Sequence, residues 1–232
     1  MVVLITGGAK GIGKELSIYL LETGNTVYVN YLTSDVSAKA LERVYRSSNV
    51  IITNGDITNE DYVRKLMKQI KEEQGKLDLL INNACYCADD LISDKTKESF
   101  TKELDTNLVA PFLLAKYYSK EFESGMIINM LSTDGVDTYN EYNMGYAASK
   151  AGLLNLTNSL AYSLKNFKVY GLMLNYVNTS SVLDMNPDFL NNELKRIGQK
   201  ELIEKKTVSK HFEKLIQGNL KSGYIERVDS NE

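Results

Sequence analysis

Thr6-Gly7-Gly8-Ala9-Lys10-Gly11-Ile12-Gly13 is the stretch on which the reading of this 232-residue chain turns. It directly follows the apolar run Val2-Val3-Leu4-Ile5 and opens a helical period from about Ile12 to Glu22. Glycine lets a backbone turn sharply and approach another group closely. The helix N-terminus that follows offers unpaired N–H groups and a positive dipole end, a setting that suits phosphate. The spacing is Gly-x-x-x-Gly-x-Gly, not the Gly-x-Gly-x-x-Gly of the larger dinucleotide enzymes. A tight strand-to-helix connection would use the same residues. Its place between the first strand and the first helix is what favours a nucleotide.

Working outward, apolar runs alternate with helical periods along the whole chain. Strands are expected at 2–5, 27–29, 50–52, 77–81, 126–130 and 168–174, with a short last one around Tyr224-Ile225 and Val228. Helices are expected over about 12–22, 36–45, from Asn59 onward, 97–123, 146–164 and 200–217. Strand–helix alternation implies parallel pairing through right-handed crossovers. The expected fold class is therefore α/β: a Rossmann-type doubly wound parallel sheet of about seven strands, with helices on both faces. Ligands of such sheets bind beyond the C-terminal strand ends. The segment from Ser180 to Gly198 reads as short and polar, with no large apolar lid.

Composition narrows the function classes. With only two prolines, Pro111 and Pro187, and no Pro- or Ser/Gly-rich linker, residues 1–232 read as one domain. A formal net charge of −3 and no basic patch give no attraction to nucleic acid or anionic lipid. The lysines from Lys200 to Lys214 alternate with Glu201, Glu204 and Glu213, as on a solvated helix face. No uncharged apolar run reaches the roughly 18–20 residues of a membrane span, and no secretory signal is visible. Cys85 and Cys87 are separated by one residue, and His211 is the only histidine, so neither a disulfide nor a metal site is expected. Reduced thiols and a cytoplasmic location follow as the expectation.

Further motifs appear in order at strand ends. Gly55-Asp56-Ile57 follows the third strand, and Asn82-Asn83-Ala84 the fourth. Thr106-Asn107-Leu108 sits in the long helix, Ser132 closes the fifth strand, and Tyr146-Ala147-Ala148-Ser149-Lys150 is a Tyr-x-x-x-Lys motif. Together with the Gly-rich turn these make the chain resemble the short-chain dehydrogenase/reductase family, from residue 2 to about residue 229. The closest subgroup in appearance is the 3-oxoacyl-acyl-carrier-protein reductases.

The resemblance implies hydride transfer between a nicotinamide coenzyme and a carbonyl or alcohol. It assigns catalysis to Asn107, Ser132, Tyr146 and Lys150. Tyr146 would give its proton to the carbonyl oxygen and take it back in oxidation. Ser132 would orient that oxygen, Lys150 would also hold the nicotinamide ribose, and Asn107 would position a water leading to solvent. A phenol has an ordinary pKa near 10; a cation one helical turn away, at i+4, is expected to lower it. Coenzyme contacts are expected from Gly7, Lys10, Gly11, Ile12, Gly13, Tyr31, Thr33, Asp56, Ile57, Asn83, Ala84, Val177 and Thr179, besides Tyr146 and Lys150.

NADP(H) is expected over NAD(H). Asn30-Tyr31-Leu32-Thr33-Ser34 offers no acid for a ribose 2′-hydroxyl before Asp35, and Lys10 and the hydroxyls of Thr33 or Ser34 would suit a 2′-phosphate. The sequence also departs from the family. Cys85 replaces a glycine, the Ser132–Tyr146 spacing is one residue longer and acidic (Asp134, Asp137, Glu141), and Leu174-Asn175 replaces Pro-Gly. A small carbonyl or alcohol is the expected substrate, with a carrier-bound 3-oxoacyl group as an alternative. A silent coenzyme-binding regulator is the alternative of another class; retention of both Tyr146 and Lys150 speaks against it. By analogy the chain is a homodimer or homotetramer through the helices at 97–123 and 146–164.

Overall fold

Parallel strands buried on both faces demand near-continuous apolar runs, and this chain supplies them. In the computed structural model, which describes residues 1–46, 49–217 and 220–228, seven strands form one parallel sheet. They are β1 (Val2–Ile5), β2 (Thr26–Tyr31), β3 (Val50–Asn54), β4 (Leu79–Asn82), β5 (Gly125–Ser132), β6 (Phe167–Leu174) and β7 (Ile225–Arg227). Their order is β3-β2-β1-β4-β5-β6-β7, so the direction of winding reverses between β1 and β4. That reversal opens a crevice at the strand C-termini, where the Gly-rich turn lies. Residue 229, where the family resemblance was expected to end, lies outside the described residues.

Side chains along each strand alternate between two cores. Val3 and Ile5 face the layer of α1 (Gly11–Glu22), α2 (Asp35–Val44) and α9 (Lys205–Ile216), packing with Leu16, Leu20, Leu41, Phe212 and Leu215. Val2 and Leu4 face the opposite layer, with Leu66, Met67 and Ile70 of α3 (Glu60–Gln74) and Leu114 and Tyr118 of α5 (Ala110–Glu121). Local signals set the helix ends. Asn59 caps α3 by accepting from Tyr62 N at 3.0 Å, and Gly75 closes it with φ 69°.

The expected helix over 97–123 is interrupted. α4 (Lys97–Leu104) passes into a π turn at Asp105–Val109 before α5 begins. The segment after β6 also differs, for it contains α7 (Ser180–Leu183) and α8 (Pro187–Arg196). Asn186 caps α8 through Asp188 N and Phe189 N at 2.9 and 3.1 Å, with Pro187 at the first helical position. The last helix starts at Lys205, so residues 200–204 precede it. α6 (Met144–Ser163) starts two residues before Tyr146. Among the described residues no helix is long and apolar enough to cross a membrane.

Candidate active site

The Gly-rich turn is braced from the β4 end. Asn83 Nδ2 donates to Thr6 O at 2.9 Å and Gly7 O at 3.2 Å, while the N–H groups of Asn83 and Ala84 both reach Thr6 Oγ1 at 3.0 Å. Ser17 Oγ ties the start of α1 back to Gly8 O and Gly13 O at 3.0 and 2.8 Å. Gly13 is obligatory for this packing, because a Cβ there would lie 2.4 Å from both Asn83 Nδ2 and Gly7 O. Gly11 plays the other part. It has φ 56°, and a Cβ there would meet nothing within 4 Å. Lys10 at the head of α1 makes no side-chain cap, so helix geometry leaves the N–H groups of Gly11, Ile12 and Gly13 without an intrahelical acceptor. An open cradle of free donors at a helix N-terminus fits the diphosphate of a dinucleotide.

Other expected coenzyme residues are placed unevenly. Lys10, Thr33 and Asp56 are exposed. The Asp56 carboxylate already accepts from Thr58 N and Thr58 Oγ1 at 2.9 and 2.8 Å. Ile57 is 6% exposed and packs into the core, so only its main chain can meet a nucleotide. Val177 is likewise in the core, while Thr179 heads α7 with its hydroxyl 3.1 Å from Ser181 Oγ. Tyr31 is buried, its hydroxyl donating to Asp35 Oδ1 at 2.9 Å, and Lys39 pairs with the same carboxylate at 2.8 Å. The single acid near the end of β2 is thereby engaged.

Three of the four expected catalytic side chains converge at the end of β5. Ser132 is its last residue, and Tyr146 and Lys150 lie one turn apart on α6. Lys150 is 4% exposed, with Nζ 5.5 Å from the Tyr146 ring centre and donating to Met130 O at 2.8 Å. Burial pushes the Tyr146 phenol well above its ordinary value, with Cys85 adding to it; the hydrogen bond from Ser132 pulls the other way, and Asp134 and Cys87 push up again. Burial lowers the Lys150 ammonium, against the pull of Cys85 and Cys87. This corrects the expectation that Lys150 acidifies Tyr146. Desolvation outweighs the cation, whose charge is turned toward a main-chain carbonyl. In this state the tyrosine is a held proton.

Asn107 is held in place by its side chain. It is 1% exposed in the π turn, and its amide clamps the segment after β4. Tyr86 N donates to Asn107 Oδ1, and Asn107 Nδ2 donates to Tyr86 O, both at 2.8 Å; Nδ2 also reaches Ser149 Oγ at 3.0 Å. With both side-chain atoms committed, a water link to Lys150 would need its main-chain carbonyl. Cys85, at the replaced glycine, and Cys87 are free and exposed. Asn175, at the other departure, accepts from Thr133 Oγ1 and so joins the ends of β5 and β6.

Sequence reading missed the supporting residues. Thr6, Ser17, Tyr86, Glu103 and Asn143 act through partners far along the chain, or look like ordinary polar residues. Glu103 is fully buried; it accepts from Ala88 N at 2.9 Å and pairs with Lys95 at 3.1 Å. Only Asn143 carried a local signal, three residues before Tyr146 where α6 begins.

Comparison with known proteins bears on the family and the fold. The family described as "short chain dehydrogenase" matches residues 1–188. A 3-oxoacyl-acyl-carrier-protein reductase of Staphylococcus aureus is 30% identical over 197 residues, covering 83% of this chain and 78% of that protein. One from Synechocystis sp. is 34% identical over 168 residues, covering 70% and 68%. Among solved structures, gox2181 superposes with a TM-score of 0.90 at 24% identity, covering 99% of this chain and 94% of that one. At that identity the likeness speaks for the fold alone.

Proposed function

The chain belongs to the short-chain dehydrogenase family, and from that premise we propose that it is an NADP(H)-dependent reductase of a small carbonyl compound, with Tyr146 as the proton donor. Membership makes it an oxidoreductase acting on CH–OH groups and implies a nicotinamide coenzyme. The observation that carries the proposal is a partly buried phenol held neutral by its surroundings, one helical turn from a buried lysine and beside the serine that closes β5.

Gly11, Ile12 and Gly13 would hold the diphosphate, Asp56 and the Ile57 main chain the adenine. Asn83, Ala84, Val177, Thr179 and Lys150 would hold the nicotinamide riboside. When bound, that ring supplies or accepts the hydride. Ser132 donates to the carbonyl oxygen and fixes it beside the phenol. Tyr146 gives that oxygen its proton, so the C=O becomes CH–OH, and the resulting phenolate is stabilised by Lys150 until solvent returns a proton. Lys10 and Thr33 are available to a 2′-phosphate, and the engagement of Asp35 by Lys39 and Tyr31 removes the acid that an NAD ribose would want.

A second reading has an observation in its favour: curated relatives are named 3-oxoacyl-acyl-carrier-protein reductases. A carbonyl panel that includes a 3-oxoacyl thioester, followed by NADPH absorbance, tests both. Turnover is expected with NADPH over NADH, the Tyr146→Phe variant losing roughly 10²–10⁴-fold. NADPH binding without turnover of any compound would favour a regulator instead.

A further inference from the structure

The loop between β5 and α6 carries a carboxylate that hydride transfer does not use. Asp134 lies two residues beyond Ser132, and its N–H donates to Ser132 Oγ at 3.1 Å. Its side chain is fixed from two sides. Thr138 Oγ1 donates to Oδ1 at 2.6 Å, and Asn143 Nδ2 donates to Oδ2 at 2.8 Å. Thr138 Oγ1 lies 3.2 Å from Thr133 Oγ1, and Asn143 precedes α6, a turn before Tyr146. The carboxylate thus keeps one position relative to the serine and the tyrosine.

It is also half-buried and without a cation in direct contact. No cation lies within 4.0 Å of it among the described residues. Arg196 lies within electrostatic reach but is gripped by Glu193 at 3.0 and 2.7 Å, and Glu193 is tied to Asn140 at 2.7 Å. Lys150 is turned to Met130 O, and Asp137 takes Arg227. Beside the carboxylate, the Asn143 amide is 7% exposed and its Oδ1 has no hydrogen-bond partner. A carboxylate held by two neutral donors, with no cation in direct contact among the described residues, therefore stands two residues beyond Ser132 and within electrostatic reach of Tyr146. A fixed, partly desolvated carboxylate favours a donor or cation and repels a like charge.

We infer that Asp134 is a specificity residue, selecting carbonyl substrates that carry a hydrogen-bond donor, best an ammonium group, close to the carbonyl carbon. A carboxylate in that place is rejected. The inference rests on the reductase reading and names its substrate class. It also runs against an acidic carrier docking at this mouth, where Asp89 adds a second negative group within reach of Tyr176.

Aminoacetone, hydroxyacetone and pyruvate differ in this one group and serve as probes, with NADPH as reductant. The ratio of kcat/KM for aminoacetone to that for pyruvate is expected to fall at least roughly tenfold in Asp134→Asn. Aminoacetone turnover drops and pyruvate turnover rises. A residue that only staples the loop would lower both together. Asp134→Glu, which keeps the charge, is expected to retain the wild-type ordering. Should Asp134→Asn fail to fold, the Asp134→Glu and wild-type orderings still decide. Ratios that do not move, or a wild-type preference for pyruvate over hydroxyacetone, would overturn the inference while leaving the reductase reading intact. No turnover of these probes or of any other carbonyl by NADPH-bound wild type would overturn both.

Discussion

Burial moves Tyr146 and Lys150 in opposite directions, and that sets the pH behaviour of the site. Reduction needs the phenol protonated and the ammonium charged, so its rate is present on the low-pH side and is lost as pH rises through the lower of the two values. Lys150 titrates first, below the 10.5 of an ordinary lysine. The groups around the pair are Ser132, Cys85, Cys87 and Asp134. The pH profile of kcat for reduction is therefore expected to show one alkaline limb, earlier than an ordinary lysine would give; a rate that climbs with pH through that limb would contradict it. The Tyr-x-x-x-Lys spacing was legible in the sequence because four residues make one helical turn. The protonation state was not, since it depends on how much of the fold covers those side chains.

At the scale of elements, the segment after β4 is held by α4 and the π turn. Glu103 accepts from Ala88 N, Lys95 donates to Ala88 O at 2.6 Å, and Asn107 grips Tyr86. Gly145 allows α6 to close over this pair, since a Cβ there would lie 2.0 Å from Glu103 Oε2. Removing one partner of a buried ion pair leaves a charge uncompensated, at about 3–5 kcal/mol, whereas an apolar replacement of both is often neutral. Lys95→Met is expected to lower unfolding stability in urea by about that amount, and Lys95→Met with Glu103→Val to recover most of it. Equal losses in the single and double variants would refute this role.

None of these contacts could be read from the chain. Asn107 and Tyr86 stand 21 residues apart, and one extra residue in a helix turn leaves the apolar period nearly intact. α8 was missed for a different reason. Its start signal, Asn186-Pro187-Asp188, its basic end, Lys195-Arg196, and the spacing of Leu190 and Leu194 were all present in a stretch read simply as short and polar. The strands were legible throughout, because a sheet covered on both sides requires unbroken apolar runs.

For the whole molecule, the order of strands brings the Gly-rich turn, the β4 end and the Tyr146 turn to the C-terminal ends of the central strands. The expected assembly through α4–α5 and α6 belongs to this scale. Val109, which ends the π turn, and Phe112 in α5 are 40% and 46% exposed and lie one turn apart. Light scattering is expected to give a dimer or tetramer for the wild type, and a smaller species for Phe112→Glu. A wild-type monomer would exclude that surface as an interface.

The account as a whole depends on a hydride passing from a nicotinamide ring in this cleft to a carbonyl that Tyr146 protonates. NADPH carrying deuterium at the transferable C4 position, reacted with a substrate found in the carbonyl panel, tests this by mass spectrometry of the alcohol. The prediction is one deuterium on the carbinol carbon with wild-type protein, and almost none with Tyr146→Phe despite retained NADPH binding. Alcohol without deuterium, or equal labelling by the variant, would contradict it.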